Sequence, residues 1–239
     1  MKKSSIIFLL AMICQVVFAQ NKQEITFQPF SKVNLQGIMD VEVKLGEVNK
    51  VNVEAINGAN LDDLTVALNG GELSIKTKIW NQLTDKDNNR RNGNWQKKYK
   101  IEIIYNSTLY GVSAGRGANV NFNDVLKSNH LKVEASAGAI LALEVNTNSL
   151  ELSSVQGAEV KISGIANFQT TRVNTGGELR ASDLESEEAE IKANTGGEAR
   201  IKVTKYINAS AGTGGSIHYS GMPSQRNVHT SLGGEVQSN

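Results

Sequence analysis

Apolar and polar residues alternate with a period of two along most of the chain, in short runs that end at glycine, asparagine or serine. Such alternation places one set of side chains on a buried sheet face and the other in solvent, so each run predicts a strand. Val41-Glu-Val-Lys-Leu, Val51-Asn-Val-Glu-Ala, Leu64-Thr-Val-Ala-Leu and Leu73-Ser-Ile-Lys-Thr are clear examples. Asn69-Gly70-Gly71 lies between the last two and predicts a tight hairpin turn. No stretch carries an apolar stripe of period 3.6. Leu184 to Ala189 comes nearest to a helix, but it is mostly charged and reads as a loop.

From residue 117 onward the alternation becomes a repeat. Glycine, a small residue, then polar, apolar, polar, apolar recurs as Gly117-Ala-Asn-Val-Asn-Phe, Gly138-Ala-Ile-Leu-Ala-Leu and Gly157-Ala-Glu-Val-Lys-Ile. Gly176, Gly196, Gly214 and Gly233 open four further copies, so successive intervals are 21, 19, 19, 20, 18 and 19 residues. Leu131-Lys-Val-Glu-Ala, Leu150-Glu-Leu-Ser, Ala189-Glu-Ile-Lys-Ala and Ile207-Asn-Ala-Ser-Ala precede glycines, so each copy supplies about two strands and a turn. A unit this small cannot bury its own apolar face, whereas stacked copies share a continuous core. The expectation is an all-β, right-handed parallel β-helix of about 19–20 residues per coil. Seven coils at a strand spacing of about 4.8 Å make a rod of about 30 Å.

Stacking assigns the side chains. Val120, Leu141, Val160, Leu179, Ala199, Ile217 and Val236 form one inward row. Phe122, Leu143, Ile162, Ala181, Ile201 and Tyr219 form a second, two residues later. Glu159, Glu178, Glu198 and Glu235 form an outward column, flanked by Lys161, Arg180, Arg200 and His218.

The first residues add a compartment. Lys2 and Lys3 precede a mostly apolar stretch from Ser4 to Phe18, and Val17-Phe18-Ala19 has the small residues of a cleavage site before Gln20. This predicts a signal peptide over 1–19 and an exported protein, located in the periplasm, at the outer-membrane surface or outside the cell. Cys14 would be the lipidated residue of a lipoprotein, but Ala11-Met12-Ile13 lacks the small residue such a signal places before the cysteine. The expected organisation is a single unit over 20–239, with an irregular β-rich part (20–110) followed by the glycine-marked repeats (111–239).

Cleavage would remove two of the 25 basic residues and the one cysteine, leaving 23 against 24 acidic, a formal charge of −1. Disulfides then contribute nothing, and no basic face marks a nucleic-acid partner. No later segment has the length of a membrane helix.

With these strands and repeats, the chain resembles the head GIN domain family of putative auto-transporter adhesins. The resemblance rests on Phe30-Ser-Lys-Val-Asn-Leu-Gln-Gly-Ile-Met-Asp-Val-Glu-Val, on Asn69-Gly-Gly-Glu-Leu-Ser-Ile and on Ser113-Ala-Gly-Arg-Gly-Ala. It implies a β-helical fold and a surface or adhesive role, with no catalytic residues to carry over.

Candidate chemistry is sparse. β-Helical polysaccharide lyases and hydrolases need converging carboxylates, whereas within the repeats aspartate occurs only at 124 and 183 and glutamates alternate with cations. Asp85-Lys-Asp-Asn-Asn opens like a calcium loop, but Arg90 stands where glycine is required and Gln96 where the bidentate glutamate belongs. His130, His218 and His229 lack zinc-ligand spacing. No cofactor or metal is therefore expected. Residues 81–98 interrupt the alternation, and there Arg90, Arg91, Trp95, Lys97 and Lys98 set an aromatic among cations. The segment is either a contact loop for a glycan or protein ligand or a cap over the β-helix. The function expected is non-enzymatic binding or structure at the cell envelope, with a carbohydrate-processing enzyme as the alternative.

Overall fold

The computed structural model describes residues 18–19, 21–78 and 98–238. The described residues form eighteen strands and one 3-10 turn, Leu61–Asp63. The first ten strands are β1 (Phe18–Ala19), β2 (Lys22–Thr26), β3 (Lys32–Gln36), β4 (Met39–Leu45), β5 (Lys50–Ile56), β6 (Leu64–Asn69), β7 (Glu72–Thr77), β8 (Lys98–Tyr105), β9 (Gly111–Gly115) and β10 (Asn119–Phe122). The repeats follow as β11 (Leu126–Ala135), β12 (Ile140–Val155), β13 (Glu159–Asn174), β14 (Glu178–Asn194), β15 (Glu198–Gly212), β16 (Ser216–Ser220), β17 (Gln225–Thr230) and β18 (Glu235–Ser238).

The architecture is a parallel β-solenoid of about seven turns continued by a half-barrel sheet. Its inward rows are those the alternation predicts: Val120, Leu141, Val160, Leu179, Ala199, Ile217 and Val236 are paired coil to coil. All but Val236, which is partly buried, are almost fully enclosed. One core of buried apolar side chains runs from Phe30 to Tyr219.

Each coil closes on a two-residue turn in which both residues have positive φ, such as Gln156 (+56°) and Gly157 (+71°). That is the conformation of a type I′ turn, and glycine at its second position removes the Cβ penalty. The fourth turn residue donates back to the first, as from Ala139 N to Ser136 O (3.1 Å). The turn glycine also donates to the neighbouring coil: Gly157 N to Thr175 O (3.1 Å), Gly176 N to Thr195 O (3.1 Å), Gly196 N to Thr213 O (3.2 Å). Hydrogen bonding therefore passes through the corner as well as through the strands.

Two expectations change. Between turns a coil of the repeats is one continuous strand of 15–17 residues (β12 to β15) rather than two, and some of its buried positions are polar, such as Thr147 and Ser186. Leu184 to Ala189 is not a loop but belongs to β14, with Leu184, Ser186 and Ala189 buried and Glu185 and Glu188 exposed. Its charges occupy only outward positions.

The N-terminal part is built from the same coils in a different order. β3 and β4 pair with β9 and β10 on one side and with β7 and β8 on the other, so the later β7–β8 coil lies outside the earlier one. β5 then adds antiparallel to β8, β2 antiparallel to β5, and β6 antiparallel to β7. The β6–β7 hairpin turns at Gly70 and Gly71, both with positive φ, as Asn69-Gly-Gly predicts. Residues 79–97 join β7 to β8, the step that every repeat makes with its two-residue turn.

Candidate functional site

The residues singled out by sequence in the interrupting segment, Arg90, Arg91, Trp95 and Lys97, lie outside the described residues, as do Asp85 and Gln96. Lys98 is described; it opens β8 and pairs with Asp40 at 2.6 Å.

The glutamate and arginine columns on the repeats are internally compensated. Arg180 reaches Glu159 (3.1 Å) and Glu178 (2.7 Å), while Arg200 reaches Glu178 (3.4 Å) and Glu198 (2.5 Å). The hydrogen bond from Arg180 is the main reason the Glu178 carboxyl titrates below its usual range. These pairs are solvated and each contributes at most about 1 kcal/mol. They offset the repulsion of stacked carboxylates and present no opening. His130 and His229 are exposed, and His218 bonds Ser216 Oγ (3.0 Å). Among the described residues no group of three or more histidines, cysteines or carboxylates could hold a metal ion.

A concave surface lies elsewhere, on the outward face of the strands at the half-barrel end. A groove of about 820 Å³ crosses β2, β5, β8, β4 and β10. Strand register sets its walls as two rows. One runs Lys22, Glu54, Lys100, Asp40, Asn119; the other runs Glu24, Asn52, Glu102, Glu42, Asn121. Neighbours within a row are one strand spacing apart, about 4.8 Å, and the rows are separated by two residues, about 6.7 Å. The inward partners of these residues, among them Val41, Val53 and Ile101, are in the core, so the floor is anchored from behind.

The two rows consist of polar side chains, with Asp40, Asn52, Glu54 and Glu102 half-buried and the others exposed. Glu102 sits at the centre of the floor: Lys44 Nζ donates to one carboxylate oxygen and Asn52 Nδ2 to the other (2.8 Å). Those two hydrogen bonds, Lys44 first, hold the Glu102 carboxyl below its usual range. Asp40 accepts from Asn119 Nδ2 (3.1 Å) in addition to its pair with Lys98. Lys50 pairs with Glu24 (2.9 Å) and Lys22 with Glu54 (3.3 Å). Glu42 and Lys100 have no ion pair among the described residues. Asn52 Oδ1 is buried without a hydrogen-bond donor among them.

Sequence reasoning missed this groove. Its residues span positions 22 to 121 and come from five strands, and each looks like any outward polar residue of an alternating run.

Comparison with known proteins agrees with the fold. The sequence profile of the family described as putative auto-transporter adhesin, head GIN domain, matches residues 29–223. A putative adhesin from Bacteroides fragilis NCTC 9343 superposes with a TM-score of 0.77 at 18% identity, covering 94% of this chain and 97% of that one. A putative lipid binding protein from Parabacteroides distasonis ATCC 8503 gives 0.64 at 19% identity, covering 91% and 96%. A putative adhesin from Parabacteroides merdae ATCC 43184 gives 0.65 at 18% identity, covering 91% and 95%. Identities this low speak to the architecture alone. No curated protein matches the sequence.

Proposed function

Because the chain belongs to the family of putative auto-transporter adhesins with a head GIN domain, we propose that it is an exported, non-enzymatic binding protein of the cell envelope. Its contact surface is the groove across β2, β5, β8, β4 and β10. The observation that carries this reading is the groove itself: a concave polar surface of ligand size, fixed to a rigid solenoid wall. Two sources make it rigid, the parallel ladders of β4 with β8 and β10 and the core side chains behind them.

The same geometry supports binding over catalysis. A glycosidase of ordinary type needs one carboxyl that stays protonated to serve as general acid. Glu102, the carboxyl at the centre of the floor, titrates below its usual range because Lys44 and Asn52 hydrogen-bond to it, a shift opposite to the one such an acid needs. Export rests on the basic start, the apolar stretch and Val17-Phe18-Ala19; no helix among the described residues is long and apolar enough to cross a membrane.

A glycan array probed with residues 20–239 tests the proposal, with the double variant Asn119→Leu, Asn121→Leu as control. Both asparagines are exposed, so the variant keeps its fold. The expected result is a restricted set of positive spots that the variant loses. Equal binding by the variant refutes the groove as contact surface. Release of reducing ends or unsaturated products from pectin or alginate, abolished by one acidic substitution, makes the protein an enzyme instead.

A further inference from the structure

Resting on that groove as the binding surface, we infer that its ligand is an uncharged, hydroxyl-rich chain, of the class of neutral glycans, held by hydrogen bonds and not by charge. Charge bookkeeping carries the inference. Five carboxylates line the groove: Glu24, Asp40, Glu42, Glu54 and Glu102. Four are joined to a lysine: Glu24 to Lys50, Asp40 to Lys98, Glu54 to Lys22, Glu102 to Lys44. The remaining carboxylate, Glu42, faces Glu102 across the β4–β8 ladder, and the remaining lysine, Lys100, faces Asp40 two residues away on the same ladder. Among the described residues these five negative charges meet five positive ones, Lys22 and Lys100 in the lining and Lys44, Lys50 and Lys98 beside it.

A wall of this kind sets up little net field, so a polyanion or polycation gains nothing from steering and must break existing ion pairs to make its own. What the wall does offer is alternating donors and acceptors. The exposed Asn119 and Asn121 each spend one N–H inside the protein, on Asp40 and Asn123, and keep a second N–H and the amide oxygen, while the paired carboxylates keep lone pairs for further donors. Neither the row spacing of about 4.8 Å nor the separation of about 6.7 Å demands a bulky group, and both suit successive hydroxyls along an extended chain. No aromatic side chain among the described residues lines the groove, and the outward side chains that line it are polar.

Biolayer interferometry on tips coated with dextran, mannan or xylan (neutral), heparin or alginate (anionic) and polylysine (cationic) tests the inference. Binding to at least one neutral polymer is expected and none to the charged ones. Raising NaCl from about 0.1 M to about 1 M, which shortens the screening length from about 10 to 3 Å, should leave the neutral-polymer signal unchanged. Asn119→Leu, Asn121→Leu removes two hydrogen-bonding groups and should weaken it about tenfold. Groove-dependent binding to heparin, alginate or polylysine that fades with salt overturns the inference but leaves the groove as the contact surface. Absence of any binding that the double variant weakens overturns both.

Discussion

At the fourth residue of the coil-closing turn, the first three repeats carry alanine (Ala118, Ala139, Ala158) and the last four carry glycine (Gly177, Gly197, Gly215, Gly234). The structure gives the reason. A Cβ on Gly177 would lie 2.3 Å from Ser154 O and 2.7 Å from Ser154 C, while the three alanines at the earlier corners are fully enclosed without such a clash. The obstacles are backbone atoms of the preceding coil, and alanine has no rotamer with which to avoid them. Gly177→Ala should therefore incur an overpacking cost of about 1–3 kcal/mol. Stiffening of the unfolded chain works in the opposite direction by about 0.4–1 kcal/mol. At the middle of both ranges the net loss is about 1 kcal/mol, equivalent to a Tm lowered by about 2–4 °C for a chain of this size. Gly176→Ala is the control: its Cβ meets nothing within 4 Å and its only difficulty is a φ of +68°. Urea titration followed by circular dichroism measures both variants, and hydrogen exchange adds the location. Gly177→Ala should accelerate exchange at the Glu178 amide, which bonds Ala158 O at 2.8 Å, and Gly176→Ala should not. A Gly177→Ala protein as stable as the parent would mean that the corner opens freely, and the steric account of the alanine-to-glycine change would fail.

Two further outcomes are expected. Leu179→Asp or Ile201→Asp buries an unpaired carboxylate and should cost several kcal/mol, while Glu178→Gln or Arg180→Gln should cost less than about 1 kcal/mol; comparable losses in denaturant titration would invert the assigned facing. Glu102 has a folded-state pKa below its ordinary value of 4.5, so it stabilises above that pH and the contribution is lost as pH falls through the folded value. Melting curves from pH 7 to 3 should show Glu102→Gln less stable than the parent at neutrality, by under about 1 kcal/mol for so exposed a pair, and equal to it at the acid end; a constant gap across the range would refute the assignment.

The repeats were legible because period two and a turn that requires positive φ both leave marks in sequence. Leu141 over Val160 over Leu179 could be stacked on paper and is stacked in the protein. The order of the N-terminal coils was not legible: alternation in Leu73-Ser-Ile-Lys says that one face is buried but not which strand lies beside it, and β7 pairs with β3, forty residues earlier in register (Lys32 with Glu72). Gln169 shows another limit of alternation. It occupies an inward position between Leu150 and Ala189, where its amide donates to Thr171 Oγ1 (2.9 Å) and accepts from Ser186 Oγ (3.1 Å). A polar side chain satisfied by neighbours distant in sequence looks like a surface residue until the coils are stacked.

The same distinction explains why the groove lies where the repeat ends. Within a regular solenoid each outward residue has a copy of its own kind about 4.8 Å above and below it. A column of one charge is then self-repulsive, and the repeats answer with the arginine column that joins Glu159, Glu178 and Glu198. Such a wall leaves few groups unengaged, because those engagements hold the column together. The half-barrel end has no copies to satisfy. β8 enters out of order, β5 and β2 run on beyond it, and their outward residues were free to vary strand by strand. That freedom permits a Lys100 and a Glu42 that make no ion pair among the described residues, and exposed asparagines at 119 and 121. Regular coils supply the stiffness, and the irregular end supplies the polar groups that remain available to a ligand.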